Sequence, residues 1–413
     1  MSKQQKIELM APAGSYEALM AAIQAGCDSV YFGVEQFNMR ARATMNFTLE
    51  DLAKVGTICK ENNVRSYLTL NTIVYDHDLS AIKTVLDKAK AGGITAVIAS
   101  DQAVIAYARS IQMEVHISTQ VNITNIETVK FYALFADTVV LSRELSLIQI
   151  KKICDQIAKE NICGPSGKLI EVEIFVHGAL CMAVSGKCYL SLHTANASAN
   201  RGACVQNCRR SYTVIDNEDG HELAIDNEYI MSAQDLCTID FLDKVIESGV
   251  KVMKIEGRGK GADYVKTTVE CYREAIDAFY AGTYSAEKTD NWMRRLKQVY
   301  NRGFWSGYYL GQKLGEWNDA PGSKATTRKI YIGKGEHYFD KIQVAEFKLE
   351  SYDLNVGDKV LITGPTTGAI ETTIHELHTH AGAVQSAKKG ENCAFKLTIP
   401  IRTSDKLYKI VEN

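Results

Sequence analysis

EIFVHGALCMAVSGKCYLSLHTANASANRGACVQNCRR, the stretch from Glu173 to Arg210, opens as an apolar, β-branched run and breaks at His177-Gly178 into a long loop of small and polar residues. Buried parallel strands read as runs of this kind, and long ordered connections are usually functional. The same opening recurs along the chain. Between residues 7 and 255 such runs fall at Ile7–Met10, Ser29–Phe32, Ser66–Leu70, Ala96–Ala99, Glu114–Ile117, Thr138–Leu141, Glu171–Val176 and Lys251–Ile255. Apolar residues at helical spacing fill the gaps, as with Ala18, Leu19, Ala22 and Ile23 in one and Ile82, Val85, Leu86 and Ala89 in another. Eight strands, each followed by a helix, predict an α/β fold, a TIM-like (β/α)8 barrel. An open doubly wound sheet is the alternative, but the G-x-G-x-x-G expected after its first strand is absent.

On a barrel, chemistry collects where strands end and loops begin. The candidate catalytic groups there are His116 and His177, expected to titrate near neutrality and relay protons, with Glu256 and Arg258, which would either bind substrate or form a buried ion pair. Arg40 and Arg42, in the loop after the second strand, suit a carboxylate or phosphate. Asn71, Ser118 and Gln120 complete the candidate substrate contacts at the mouth.

Four of the eleven cysteines, Cys181, Cys188, Cys204 and Cys208, fall within the opening stretch as C-x6-C-x15-C-x3-C. No signal peptide is visible, so a reducing cytoplasmic setting is expected, where grouped cysteines point to metal or redox chemistry rather than disulfides. Zinc favours shorter pairs than most of these. An iron–sulfur cluster is bulkier and takes wider spacing from four thiolates. Gly178, Gly186 and Gly202 would let the backbone wrap it closely. Burial of small residues for packing alone is the plain alternative.

Glu173, Phe175, Gly178, Ala179, Leu180, Cys181, Gly186, Cys188, Leu190 and Ser191 resemble the full signature of the peptidase U32 family, the collagenase-like proteases. The resemblance continues through NRGAC and CRRSY (Asn200 to Tyr212), QDLC (Gln234 to Cys237), KIEGR (Lys254 to Arg258) and YREAID (Tyr272 to Asp277), and reaches back to ELMAPAGSYEAL at the start. It implies an oxygen-independent hydroxylation protein with a four-cysteine 4Fe-4S cluster, in a family whose members act on tRNA wobble uridine, ribosomal RNA or the ubiquinone ring. The tRNA uridine 5-hydroxylation proteins are the nearest in kind, and with them come tRNA as partner and prephenate as oxygen source. The family name implies a peptidase instead. A non-catalytic module stabilised by zinc or a cluster is the third reading. QDLC also makes Cys237 a competitor for the place of Cys208.

No protease machinery is legible. There is no G-x-S-x-G, and His375-Glu376-Leu377-His378 does not make H-E-x-x-H. After two helical patterns, Tyr264–Tyr280 and Lys288–Tyr300, comes an aromatic segment with Phe304, Trp305 and Tyr308, read as packing of the tail onto the barrel in preference to base stacking. From residue 323 to 413 short alternating strands and turns predict a second domain, a small β-barrel of the kind seen at the C-terminus of part of the family, following a first domain of residues 1–322. Its partner would be RNA or a protein surface. The net charge of −2 gives no global basic signature, so nucleic-acid binding would need a local patch. Lys324, Arg328, Lys329, Lys388 and Lys389 are the candidates. No stretch is apolar enough to suggest a membrane span.

Overall fold

The structure is a computed structural model that describes residues 7–41, 46–213, 218, 229–313 and 315–413. Seven parallel strands follow in order: β1 (Glu8–Pro12), β2 (Ser29–Phe32), β3 (Arg65–Leu70), β4 (Ala96–Ala99), β5 (Glu114–Ile117), β6 (Thr138–Val140) and β7 (Glu171–Ala179). Each pairs with the next. After a short strand β8 (Asp235–Cys237), strand β9 (Val252–Ile255) pairs with both β7 and β1 and closes the ring. The barrel read from the sequence is therefore present, with strand bounds within two or three residues.

Helices α1 (Tyr16–Gln24), α2 (Asp51–Glu61), α3 (Leu79–Ala91), α4 (Gln102–Ser110), α5 (Ile126–Ala133) and α6 (Leu147–Glu160) cover the outside. Their buried faces, such as Ile82, Val85, Leu86 and Ala89 of α3, join one continuous core with the outward-facing strand residues. The starts are chemically marked. Ser15, Asp101, Asn125 and Ser146 each accept an amide of the first turn, and Gln149 completes a capping box at α6. A six-residue helix α7 (Leu190–Ala195) lies in the cysteine loop, and α8 (Leu242–Glu247) precedes β9. Helices α9 (Ala262–Tyr280) and α10 (Ala286–Gln298) follow it. No helix among the described residues is long and apolar enough to cross a membrane.

Strand β7 is longer than its neighbours for a reason that bears on the site. Its ladder with β9 shifts register between Phe175 and His177, a bulge after which His177 still pairs with Ile255 while Gly178 and Ala179 run on past the end of β9. Beyond it, His177–Ala179 pair antiparallel with β8, and β8 pairs with β10 (Phe304–Trp305). The annex holds Leu180 and Cys181 over the mouth. The aromatic tail packs as expected: Trp305 and Tyr309 are buried, and the Tyr309 hydroxyl donates to the Phe175 carbonyl at 2.6 Å.

The C-terminal part is an eight-stranded antiparallel sheet beginning with β11 (Thr327–Phe339) and β12 (Val344–Leu349). It curls round its own core of Ile332, Phe347, Val360, Ile362, Phe395 and Leu407, in which Phe347 and Phe395 stack at 5.2 Å. A two-stranded ribbon, Leu354–Asn355 with Ser386–Ala387, lies against this core. The small barrel expected from the sequence thus takes the form of a rolled sheet plus ribbon. It docks on α1 and α9, where Leu361 and Ala369 meet Ala21 and Ala262, and Lys266 Nζ donates to the Ala369 carbonyl at 2.9 Å.

Candidate functional site

A cavity of about 410 Å³ opens at the C-terminal ends of the barrel strands. Of the residues expected there, Arg40, Asn71, Ser118, Gln120, Glu256, Arg258, Cys181, Cys204 and Cys208 line it. Arg42 lies outside the described residues.

The cysteine loop reaches the cavity through close backbone approaches. Gly202 has φ +82°, and a β-carbon there would run into the Asn38 carbonyl; Gly186, at φ +70°, sits against Gln120. All four cysteines are free thiols. Burial pushes the Cys208 thiol up, Arg209 opposes this, and Cys181, Cys204 and Cys188 add to it; of the four, Cys188 does not line the cavity. Arg40 feels Cys181 and Cys204, and Arg209 feels Cys208 and Cys181. Among the described residues no three Cys, His, Asp or Glu side chains stand close enough to hold one metal ion. The donor chemistry, four thiols beside two guanidiniums that favour thiolates, fits an anionic thiolate-bound group. Cys237 is set apart. It is buried under Tyr272, whose hydroxyl lies 3.9 Å from its sulfur, and burial pushes its thiol up to about 12.

Charge in the cavity is one-sided. Seven cations line it (Arg40, Arg143, Arg209, Lys254, Arg258, Lys260 and Arg302), against the single carboxylate of Glu256. Burial alone would raise the Glu256 carboxyl, but Arg40, Arg143 and Arg258 hold it below the usual carboxylate range. Its partner is Arg40, at 3.0 Å, not the adjacent Arg258. Tyr31 donates to its other oxygen at 3.1 Å. Arg258 is held by Thr69 at 2.8 Å and Asn38 at 3.1 Å, with its Nε left without a partner. Arg143 stacks over Phe175 at 3.8 Å and donates to the Ala179 carbonyl at 3.0 Å. Burial, with Arg302 nearby, lowers Lys260 to about 7, so it titrates at neutrality. A low-dielectric space with this excess attracts anions strongly.

Both histidines depart from expectation, since neither lines the cavity. His177 follows the bulge and points outward, with its ring 5.5 Å from both Tyr272 and Phe304, and burial lowers it to about 3, so it stays neutral. His116 points into the barrel below the mouth. Burial would lower it too, but Glu114 at 3.0 Å and Glu173 at 3.6 Å raise it to about 9. The basic residues of the second domain are also elsewhere. Lys324 pairs with Asp319 at 2.5 Å, Lys329 with Asp263 at 2.5 Å and Lys388 with Asp353 at 2.9 Å, while Arg328 and Lys389 are exposed. None of the five lines the cavity.

Sequence reasoning missed Lys254, Arg209, Lys260 and Arg302 as cavity residues. A lysine inside the apolar run VMKI was the available signal, because a charge in a buried strand needs a partner. Arg302 carried none, since it reaches Asp235 only through the annex, at 3.6 Å.

Comparison with known proteins places this geometry among relatives. A "Collagenase" of Porphyromonas gingivalis is 54% identical over 402 residues, covering 97% of each chain. The "tRNA hydroxylation protein P1" of Bacillus subtilis is 31% identical over 387 residues, covering 91% of this chain and 86% of that one. The "23S rRNA 5-hydroxycytidine C2501 synthase" of Escherichia coli is 34% identical over 274 residues, covering 66% of this chain and 40% of that one. The family model of peptidase family U32 matches residues 14–319, which span the barrel from α1 onward, the cysteine loop and both following helices, and the chain belongs to that family.

Proposed function

We propose that this chain is an RNA-modifying protein that hydroxylates the wobble uridine of tRNA without molecular oxygen. In this reading Cys181, Cys188, Cys204 and Cys208 hold a 4Fe-4S cluster, and the oxygen comes from an anionic donor such as prephenate. The observation that carries the proposal is the convergence of thiols and cations on one cavity. Its volume falls in the range of small-ligand sites, roughly 300–1,000 Å³, so it admits a single unstacked base and a small donor, but not a polynucleotide. When bound, the cluster would supply one-electron chemistry.

The chain's own residues have separable tasks. Arg258 and Arg143, each with a buried Nε lacking a hydrogen-bond partner, would bind the carboxylates of the donor. Glu256 fixes the Arg40 guanidinium. Asn71 and Ser118, hydrogen-bonded to one another at 3.2 Å, and Gln120 offer amide and hydroxyl groups to the edge of a base. Lys260 would hold or release a proton near neutral pH. Relatives named for tRNA and rRNA hydroxylation support the reading. The test is the tRNA nucleoside profile of a strain lacking the gene. Loss of 5-hydroxyuridine derivatives, restored by the wild-type gene, is expected; an unchanged profile would refute the proposal.

The name of the 54% identical relative favours a peptidase as second reading. Among the described residues no histidine lines the cavity beside its cysteines, so the nucleophile–base pair of a cysteine protease is not assembled there. Gelatin cleavage that is lost in Cys181→Ser yet insensitive to iron removal would favour it.

A further inference from the structure

We propose that the inside of the barrel is a proton path from its N-terminal face to the mouth cavity, with Glu173 and His116 at its centre. Its use rests on the hydroxylation reading, because a polynucleotide held over the mouth would close the direct route to water.

Lys254 stands in the cavity wall with Nζ 2.7 Å from Glu173 Oε1. The other oxygen of Glu173 lies 3.6 Å from His116 Nδ1, and His116 Nε2 lies 3.0 Å from Glu114 Oε1. Glu114 meets Arg65 at 2.6 Å, Arg65 meets Glu8 at 3.3 Å, and the Tyr67 hydroxyl donates to Glu8 at 2.7 Å. The chain thus runs from the cavity to the opposite end of the strands with alternating charge. Its middle is sealed, with Glu173 and His116 at 0% and 1% exposure, while the Glu114 side chain is 30% open. Glu114 on β5, Glu173 on β7 and the Tyr67 ring on β3, 4.5 Å away, surround His116. Lys254 on β9 and Arg65 on β3 stand one group further off.

Two features separate this chain from an ordinary buried ion pair. An interior layer of this kind costs several kcal/mol per desolvated charge, where apolar residues would do; Met10, Tyr31, Ile98 and Val252 provide such packing elsewhere in the barrel. Moreover, His116 Nδ1 and Glu173 Oε2 are both left without a hydrogen-bond partner, yet they face each other. A small rotation closes that gap.

Transfer needs only protons. Lys254 gives one to an acceptor in the cavity. His116, protonated on both nitrogens, passes its Nδ1 proton to Glu173, whose carboxyl turns and hands it to the neutral Lys254 amine. The imidazole then turns its bare nitrogen to Glu114, which delivers a proton taken from water. One proton enters at the N-terminal face, one leaves into the cavity, and no electrons move.

Two measurements on the full chain test this. By ¹⁵N side-chain NMR, His116 should carry protons on both nitrogens at neutral pH, and Lys254→Met should move its titration upward by about half a unit, since Glu173 then acts on the imidazole alone. A neutral His116, or a titration unmoved by Lys254→Met, would overturn the path. In tRNA hydroxylation assays Glu114→Gln, outside the cavity and partly exposed, should lower kcat about tenfold at unchanged KM, with added imidazole restoring it. An unchanged kcat would also overturn it. If the wild-type protein does not modify tRNA at all, the hydroxylation reading fails, and the NMR result still decides the path.

Discussion

Cys208 has three thiols and Arg209 in its electrostatic neighbourhood, whereas Cys237 lies under Tyr272 with its proton held by burial. Anaerobically reconstituted protein should therefore bind about four irons per chain, and Cys181→Ala, Cys188→Ala, Cys204→Ala and Cys208→Ala should each abolish the visible absorption. Cys237→Ala should retain it; the reverse pattern for Cys208 and Cys237 would reassign the fourth ligand. The two histidines give opposite pH effects. His116 is raised to about 9 from an unfolded value near 6.5, so its contribution of about 3 kcal/mol is complete below pH 6.5 and fades as pH rises towards 9. His177 is lowered to about 3, so its neutral burial costs nothing above pH 6.5 and destabilises progressively as pH falls below it. Urea midpoints across pH should show the alkaline fall diminished in His116→Gln and the acid fall diminished in His177→Asn. At this scale the sequence was informative where position along a strand decides the outcome: Asn71, Ser118, Gln120, Glu256 and Arg258 follow their strands and reach the mouth. It was uninformative where direction decides. His116 and His177 depend on which way a residue points and on a bulge, neither of which composition records.

The long strand β7 shows how one irregularity makes a site. Past the register shift at Phe175–His177 the strand runs on along β8 through Gly178 and Ala179, and Cys181 follows at the mouth. The eight barrel strands were legible because each is a compact apolar run. The annex strands β8 and β10 were not, at three and two residues, too short for any period to register. The cysteine loop that follows β7 depends on Gly202, whose positive φ and contact with the Asn38 carbonyl bring the segment bearing Cys204 beside the loop of Arg40. Gly202→Ala should accordingly cost about 1–3 kcal/mol locally and act mainly on the site. Iron retention should fall at least several-fold while the thermal midpoint of the barrel moves by only a few degrees. A variant with full iron content would show that the loop reaches the cluster geometry by another route.

For the molecule as a whole, the near-zero net charge conceals a strong internal separation. Seven cations face the mouth cavity, while the candidate basic residues of the second domain are largely neutralised where they stand. Lys324, Lys329 and Lys388 each lie within 3 Å of a carboxylate, and the second domain docks on α1 and α9 rather than across the mouth. Counterion release on RNA binding follows the cations that meet phosphate without a carboxylate already beside them, at about 0.9 units of salt slope per contact on duplex and about 0.7 on single strands. Of the five basic residues read from the sequence, only Arg328 and Lys389 meet that condition by exposure without a carboxylate paired to the side chain. Replacing all five by Gln should flatten the slope of log affinity against log salt by no more than about two units. Replacing Arg302 and Lys260 at the mouth should weaken binding comparably with only two changes, because Asp235 stands 3.6 Å from Arg302, looser than the pairs of the second domain, and both cations act in a partly desolvated space where each charge counts for more. Equilibrium binding of tRNA across a salt series measures both variants. If the five-site variant loses most of the salt dependence while the mouth variant keeps it, the rolled sheet is the main RNA platform and the cavity contributes recognition of the base alone.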